Sequence, residues 1–461
     1  MTHSTSAPAT IGAPHNGPSQ MTDVGIPVAI PPIASITSPS YWDFGDRKED
    51  PIHRIHAYPA KFPAFITTKA LHYAQQHGVD VQLVADVFCG CGTTAVEARR
   101  NGKSFWGCDI NPVATLIAHV KTRQHHDAGL ERTFAAIEDA VAARQPSTGD
   151  RASVCDRIRH WFSDRNIEDL LRLRHAIHQS APLRSRYRKF FLCAFSNILK
   201  PTSRWLTKSI KPQLDPDKTP REVMEAFADQ VDMMRKACAA SISDSASENS
   251  ASRSPDSAAL TPNPPVRIRN RNFLAYRLPD CRPDLIVTSP PYVTSYNYAD
   301  IHQLSALWLG YASDYRDMRK HMMGNEFGVG PLARSTIEGL GPLATETYDA
   351  LARRDQRKAR SVARYYYDMS KAVAKCRRLL NHGGMAVFVI GNTSYQGVGI
   401  DNRAHMVHCM ESAGFHDVEA RRRRVSLKTM TPYRDSRGRF TRDGTQRRVY
   451  GEEFVVTGRR P

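Results

Sequence analysis

The sequence predicts an α/β protein, a doubly wound and mostly parallel sheet interrupted by a helical insertion. Three observations carry that expectation. Short apolar runs at 81–88, 104–110, 266–271, 283–287 and 385–390 have the length and composition of strands buried on both faces. Helix-like segments follow several of them, as crossover connections require. Two runs end in segments suited to ligand contact, and open α/β sheets bind ligands beyond the carboxyl ends of their strands. With 417–425 and 453–458 the candidate strands number seven.

Bulk properties restrict partners more than fold. The 461 residues suffice for a full core and an added module. A formal net charge of +18 and a pI of about 9.6 favour nucleic acid over acidic small substrates. Nine cysteines without paired spacing suggest neither a disulfide framework nor a zinc site, so reduced thiols and no metal are expected. No apolar run approaches 18 residues and no charged-then-apolar signal opens the chain, which points to a cytoplasmic, nucleoid-associated protein.

Residues 1–40, rich in Ser, Thr, Pro and Ala and nearly uncharged, read as a disordered leader, with order expected from about Tyr41. The stretch 53–65, HRIHAYPAKFPAF, is fixed as an extended loop by two prolines. The first strand then runs into Asp86-Val87-Phe88-Cys89-Gly90-Cys91-Gly92-Thr93-Thr94 and a helix. Strand, glycine turn and helix form the layout of a nucleotide-type cofactor loop, because glycine lets the backbone approach a ligand. No Gly-Lys-Ser/Thr follows, so this is not a phosphate-binding P-loop. Asp109, at the end of the second strand, is placed either to accept from both ribose hydroxyls or to cap the helix beginning near Pro112, and the two roles can coexist.

Residues 41–124 would form the cofactor half of the core and 125–239 the insertion, with helices at 134–143, 158–177, 187–199 and 223–239. Between Arg184 and Lys211 eight Lys or Arg and no acid alternate with Tyr187, Phe190, Phe191, Phe195 and Trp205. Aromatics inward and charges toward a phosphate backbone satisfy both groups, with Arg204 and Lys208 as candidate contacts. Residues 240–265 read as a flexible linker. The catalytic half, 266–461, contains a polar, glycine-containing insertion at 312–360, a candidate lid or clamp loop, followed by a helix at 362–380. In 421–448 eleven Lys or Arg face only Asp435 and Asp443. That density exceeds what solubility needs, so a basic loop contacting nucleic acid is expected, with Arg422, Arg423, Arg424, Arg434, Arg437 and Arg439 as contacts.

Thr288-Ser289-Pro290-Pro291-Tyr292 ends the buried run at 283–287. Prolines cannot continue a ladder, so their carbonyls turn toward the cleft. A Ser hydroxyl and a rigid carbonyl suit an amino group, and Tyr292 offers a face to a planar base. A proline-rich turn over a buried Tyr would look the same. This pentapeptide resembles the Ser/Thr/Asp/Asn-Pro-Pro-aromatic motif of the S-adenosylmethionine-dependent methyltransferases that modify exocyclic amines of DNA bases. Its form is most typical of the N4-cytosine branch. The segments 53–120 and 268–310 resemble that family well, and 361–393 resembles it fairly.

The resemblance implies a Rossmann-like, seven-stranded sheet with an antiparallel last strand, S-adenosylmethionine as cofactor and double-stranded DNA as substrate. A cognate restriction endonuclease is a candidate partner. It further implies cofactor contacts from Asp86 (to the α-ammonium), Phe88, Gly90, Gly92, Thr93, Thr94, Asp109, Asn272 (to adenine), Tyr58, Lys61 and Phe62. Ser289, Pro290, Pro291 and Tyr292 would be catalytic: Tyr292 stacks on a flipped base while Ser289 and the Pro290 carbonyl accept the amine hydrogens. Cytosine C5 methylation would need an attacking Cys in a Pro-Cys dipeptide, which is absent. Adenine N6, an RNA guanine N2, or a catalytically silent DNA-binding subunit stay open as alternatives.

Overall fold

The computed structural model describes residues 37–45, 49–59, 61, 63–144, 154–250, 264–293, 298–325, 330–424, 433–434, 440–441, 447–448 and 453–461. For 242–250 and the three dipeptides, only the backbone is described. The expected leader therefore lies almost wholly outside the described residues.

Strands β1 (Leu83–Asp86), β2 (Ser104–Asp109), β3 (Val266–Asn270), β4 (Leu285–Thr288) and β5 (Met385–Gly391) are parallel neighbours in the order β3-β2-β1-β4-β5. A hairpin, β6 (Thr393–Tyr395) with β7 (Val398–Ile400), follows β5. The sheet is completed by β8 (His416–Arg423) at its edge and by the last strand, antiparallel to both β5 and β8. Before that last strand come three two-residue strands, β9 (Tyr433–Arg434), β10 (Phe440–Thr441) and β11 (Arg447–Arg448), paired with one another. The last strand is β12 (Glu453–Arg459), giving the seven-stranded order β3-β2-β1-β4-β5-β12-β8. Every residue of β4 and β5 is buried, which is why both read as continuous apolar runs. Edge strand β8 is charged, as an edge must be to avoid pairing with another chain.

Helices α1 (Phe65–Gln76) and α2 (Thr93–Arg100) cover one face, where Ile66, Ala70, Ala95 and Ala98 meet Val84, Phe105 and Val387. After β2, α3 (Pro112–Lys121) starts at an Asn111 cap whose side chain accepts from the Val113 N–H, with Pro112 in the first turn. The insertion comprises α4 (Asp127–Ala143), α5 (Asp156–Trp161), α6 (Asp164–Ser180), α7 (Arg186–Ile198) and α8 (Val223–Ser250). Phe190, Phe191, Phe195 and Trp205 point into a core that continues into α3. Two boundaries differ from expectation. The helix expected over 158–177 is broken, because Ser163 accepts from the Asn166 N–H and starts a new helix. Of the linker expected over 240–265, residues up to Ser250 belong to α8, and 251–263 lie outside the described residues.

Past β4 lie α9 (Tyr298–Ile301) and α10 (Gln303–Trp308), the latter packed on α3 and α7. The stretch 312–360 is less irregular than expected. It holds a 3-10 turn at Tyr315–Arg319, α11 (Arg334–Glu338), α12 (Pro342–Ala352) and the start of α13 (Gln356–Leu379). Asp355 caps α13 by accepting from the Lys358 N–H, six residues ahead of the helix start expected at 362. The buried face of α13 and α14 (Asn402–Ser412) cover the second face of the sheet.

Candidate active site

The carboxyl ends of β1, β2 and β4 and the segment after β3 surround one cavity of about 400 Å³. Tyr58, Phe88, Gly90, Asp109, Asn272, Phe273, Ser289, Pro291 and Tyr292 line it. Parallel strands that end together explain why residues so distant in sequence converge there.

Gly90 has φ +47°, a conformation that disfavours any side chain, and its N–H donates to Asp109 Oδ2 at 2.8 Å. Asp109 Oδ1 accepts from the Asn111 N–H at 2.8 Å. Two backbone donors thus aim this carboxylate and leave it lone pairs for a ligand. Burial pushes its pKa up, opposed by these two bonds. Asn272 Oδ1 accepts from the Leu274 N–H, and its amide stands on the cavity wall. Tyr58 stacks on His302 with ring centroids 5.0 Å apart. His302 lies on the chain just beyond the catalytic motif, and burial lowers its pKa to about 4, keeping the ring neutral.

Several expected ligand contacts are instead structural. Asp86 is sealed at 1% exposure and does not line the cavity. Its Oδ1 accepts from Thr288 Oγ1 at 2.6 Å and the Phe88 N–H at 3.1 Å, and its Oδ2 from Thr94 Oγ1 at 2.8 Å. It ties the glycine loop to the end of β4, and burial pushes its pKa to about 7. Gly92 has φ +81° and faces helix α3, where an added Cβ would fall 2.7 Å from the Ala118 Cβ. Thr93 and Thr94 are buried beside it. Lys61 is held by Glu49 at 3.1 Å and the His53 carbonyl at 3.0 Å, away from the cavity wall. Phe62 lies outside the described residues.

In the Thr-Ser-Pro-Pro-Tyr segment, Ser289 Oγ donates to the Val389 carbonyl of β5 at 3.2 Å. Its hydrogen is thereby committed, and the oxygen keeps its acceptor capacity. Pro290 is buried and does not line the cavity. The Tyr292 hydroxyl donates to Glu453 Oε1 at 2.8 Å, and Glu453 Oε2 is ion-paired with Arg423. Burial, then the Glu453 charge, raises the Tyr292 pKa.

The expected basic loop changes accordingly. Arg422 and Arg423 belong to β8, and Arg423 is buried at 4% exposure against Glu453. The Arg424 N–H donates to Asp43 Oδ1 at 2.7 Å, while its side chain is exposed. Arg437 and Arg439 lie outside the described residues, as does the side chain of Arg434. In the insertion Lys208 is exposed, but Arg186, Arg188, Lys200 and Arg204 donate to backbone carbonyls. A dense basic segment in sequence does not distinguish charges that brace loops from charges that face a ligand.

The far cavity wall was not anticipated. Arg319, His321, Met322 and Met323 line it, with Arg357, Lys358, Ser361 and Tyr365 from α13. The four-residue spacing of Arg357, Ser361 and Tyr365 is a legible signal of one helix face once Asp355 is read as the helix cap. Among the described residues no group of three His, Cys, Asp or Glu is placed to hold a metal, and no helix is long and apolar enough to cross a membrane. The nine cysteines are free thiols.

The family model described as DNA methylase matches residues 35–119, which include the glycine loop and Asp109. The type II methyltransferase M.MvaI of Kocuria varians is 23% identical over 404 residues, 82% of this chain and 85% of that protein. The type II methyltransferase M.MjaII of Methanocaldococcus jannaschii is 28% identical over 99 residues, 22% of this chain and 18% of that protein. An rRNA methyltransferase structure from Streptomyces viridochromogenes covers 88% of each chain at 9% identity, and its TM-score of 0.27 carries no argument. With the seven-stranded sheet and a Thr-Ser-Pro-Pro-Tyr segment at its cavity, these matches support a kinship with the DNA amino-methyltransferase family.

Proposed function

We propose that the chain transfers a methyl group from S-adenosylmethionine to the N4 amine of a cytosine drawn out of duplex cytoplasmic DNA. The observation that supports this most is one cavity shared by a cofactor-type wall (Gly90, Asp109, Asn272) and an acceptor-type wall (Ser289, Tyr292). The donor set fits the cofactor. Asp109 keeps free lone pairs for a ribose diol, Asn272 presents an amide to adenine, and the bare Gly90 backbone leaves room that a Cβ would narrow toward Tyr58. Bound S-adenosylmethionine supplies an electrophilic methyl group.

The protein's own residues supply position and polarity. A base in a duplex hides its exocyclic amine, so it must leave the stack, which costs a few kcal/mol. Tyr292 gives the extruded base a stacking face, worth about 1–3 kcal/mol. Ser289 Oγ, its hydrogen spent on Val389, accepts an amine hydrogen, and the Pro290 carbonyl accepts the other. Both bonds aim the nitrogen lone pair at the cofactor wall. No covalent protein intermediate is needed, since alignment of reactants alone is worth up to about 7–11 kcal/mol. Cytosine is favoured over adenine by a neutral Ser where a carboxylate would be a stronger acceptor, and by the resemblance to the N4-cytosine branch.

The test is nucleoside analysis after reaction with labelled cofactor on separate DNA and RNA substrates. Labelled N4-methyl-2′-deoxycytidine from duplex DNA is expected. N6-methyladenine alone would move the assignment to adenine, and label in RNA only would overturn it.

A further inference from the structure

Helix α13 begins at the cavity and continues over the surface. Arg357, Ser361 and Tyr365 line the cavity wall at helical spacing. On the neighbouring outward face stand Arg360, Arg364, Tyr367 and Lys371, at steps of three and four residues. The opposite face, with Val362, Tyr366, Met369 and Val373, is buried in the core. From Arg357 to Lys371 the row is about 21 Å long at 1.5 Å per residue.

The charge of this row is only partly cancelled, by the Arg364–Asp368 ion pair. From Arg353 to Lys371 there are seven Lys or Arg against Asp355 and Asp368. Asp355 is occupied by the Lys358 N–H and the Tyr395 hydroxyl. Asp368 is buried, lies 3.2 Å from Arg364, and accepts from the Gly324 N–H. Arg357 and Arg360 are exposed and have no acidic side-chain partner among the described residues. A face serving solubility alone would intersperse both signs.

We propose that this face of α13 holds the phosphodiester backbone of duplex DNA next to the nucleotide that enters the cavity. The inference rests on the DNA-methyltransferase reading and assigns the surface that reading lacks. A straight row of cations matches a straight polyanion: about 21 Å spans roughly six phosphates of one strand at 3.4 Å each. The row also begins on the cavity wall, where an extruded nucleotide's own phosphates must lie. The basic segment at 421–424 is the weaker candidate, because Arg421 and Arg423 are ion-paired with Glu419 and Glu453.

The experiment is equilibrium binding of the full chain to duplex DNA and to single-stranded RNA across a salt series. Wild type is expected to prefer duplex DNA with a steep salt slope, and R357Q/R360Q should flatten that slope by about 1.8 units, near 0.9 per lost phosphate contact. R357K/R360K should restore it, since a phosphate needs charge and not the guanidinium fork. K103Q/R282Q removes two charges at the amino-terminal edge of the parallel strands, outside α13, and should leave the slope unchanged. An unchanged slope in R357Q/R360Q, or an equal loss in K103Q/R282Q, overturns the surface while leaving the DNA reading intact. Wild type that binds RNA and not duplex DNA overturns the reading, and the surface with it.

Discussion

The Tyr292 hydroxyl and the Glu453 carboxylate lie 2.8 Å apart, joining the catalytic segment after β4 to the first residue of the last strand. Glu453 also pairs in register with Arg423 of β8, whose guanidinium takes its other oxygen. The aromatic ring at the cavity is thus held by the far side of the sheet. Tyr292→Phe keeps the stacking face and loses the tether, so a modest fall in single-turnover rate, about threefold to tenfold, is expected. Tyr292→Ala loses the face as well and should fall by about 10²-fold. Equal losses in the two variants would show that the ring is not what matters.

Arg423 and Glu453 form a mostly buried pair, with 3% and 15% of their side chains exposed. Removing one partner of such a pair strands the other charge, at about 3–5 kcal/mol. Arg423→Gln should therefore lower the denaturation midpoint sharply, whereas the exposed Arg424→Gln should shift it little. A denaturant titration of both variants decides this, and a midpoint unchanged in Arg423→Gln refutes the pairing.

The two glycines of the cofactor-type loop have different duties. Gly92→Ala drives a Cβ to 2.7 Å from Ala118 at a positive φ, so the cost should appear as lost stability. At Gly90 a Cβ would meet open cavity, with the Tyr58 ring 3.7 Å away. Gly90→Val should therefore lose S-adenosylmethionine affinity by calorimetry, in addition to a stability cost from its own positive φ. Normal cofactor affinity in Gly90→Val would remove Gly90 from the binding wall.

Burial raises Asp86 from the ordinary carboxylate range to about 7. Between about pH 4 and 7 the folded chain then holds a proton that the unfolded chain has released. Stability contributed by that proton is present at low pH and is lost as pH rises toward 7, with a slope of up to about 1.4 kcal/mol per pH unit. Asp86→Asn cannot titrate. The stability difference between wild type and Asp86→Asn should therefore change across this window and stay constant above about pH 8. A difference independent of pH would show an Asp86 of ordinary acidity.

Ser289→Ala removes one acceptor of the proposed amine contact. Its Val389 bond is a single neutral one, so stability should change by about 1 kcal/mol, while the methyl-transfer rate should fall more than DNA affinity. Parallel loss of affinity and rate would mean that Ser289 acts in DNA binding.

The sequence by itself determined the parallel core, the glycine turn after β1 and the Pro-Pro segment after β4. Buried strands must be continuously apolar, and tight turns must use glycine or proline, so both leave marks in local composition. It also singled out Asp109, by its place at a strand's carboxyl end, and Asn272, by the family resemblance, and both line the cavity. Only the tertiary structure decided which polar groups are spent on the protein itself. Asp86 is taken by Thr94 of α2 and Thr288 of β4, almost two hundred residues apart, and Arg423 is taken by a carboxylate on the adjoining strand. The cavity wall from α13 was hidden for the same reason. Amphipathic spacing shows that a helix has an inner and an outer face, but long-range contacts decide which part of the outer face borders a cavity.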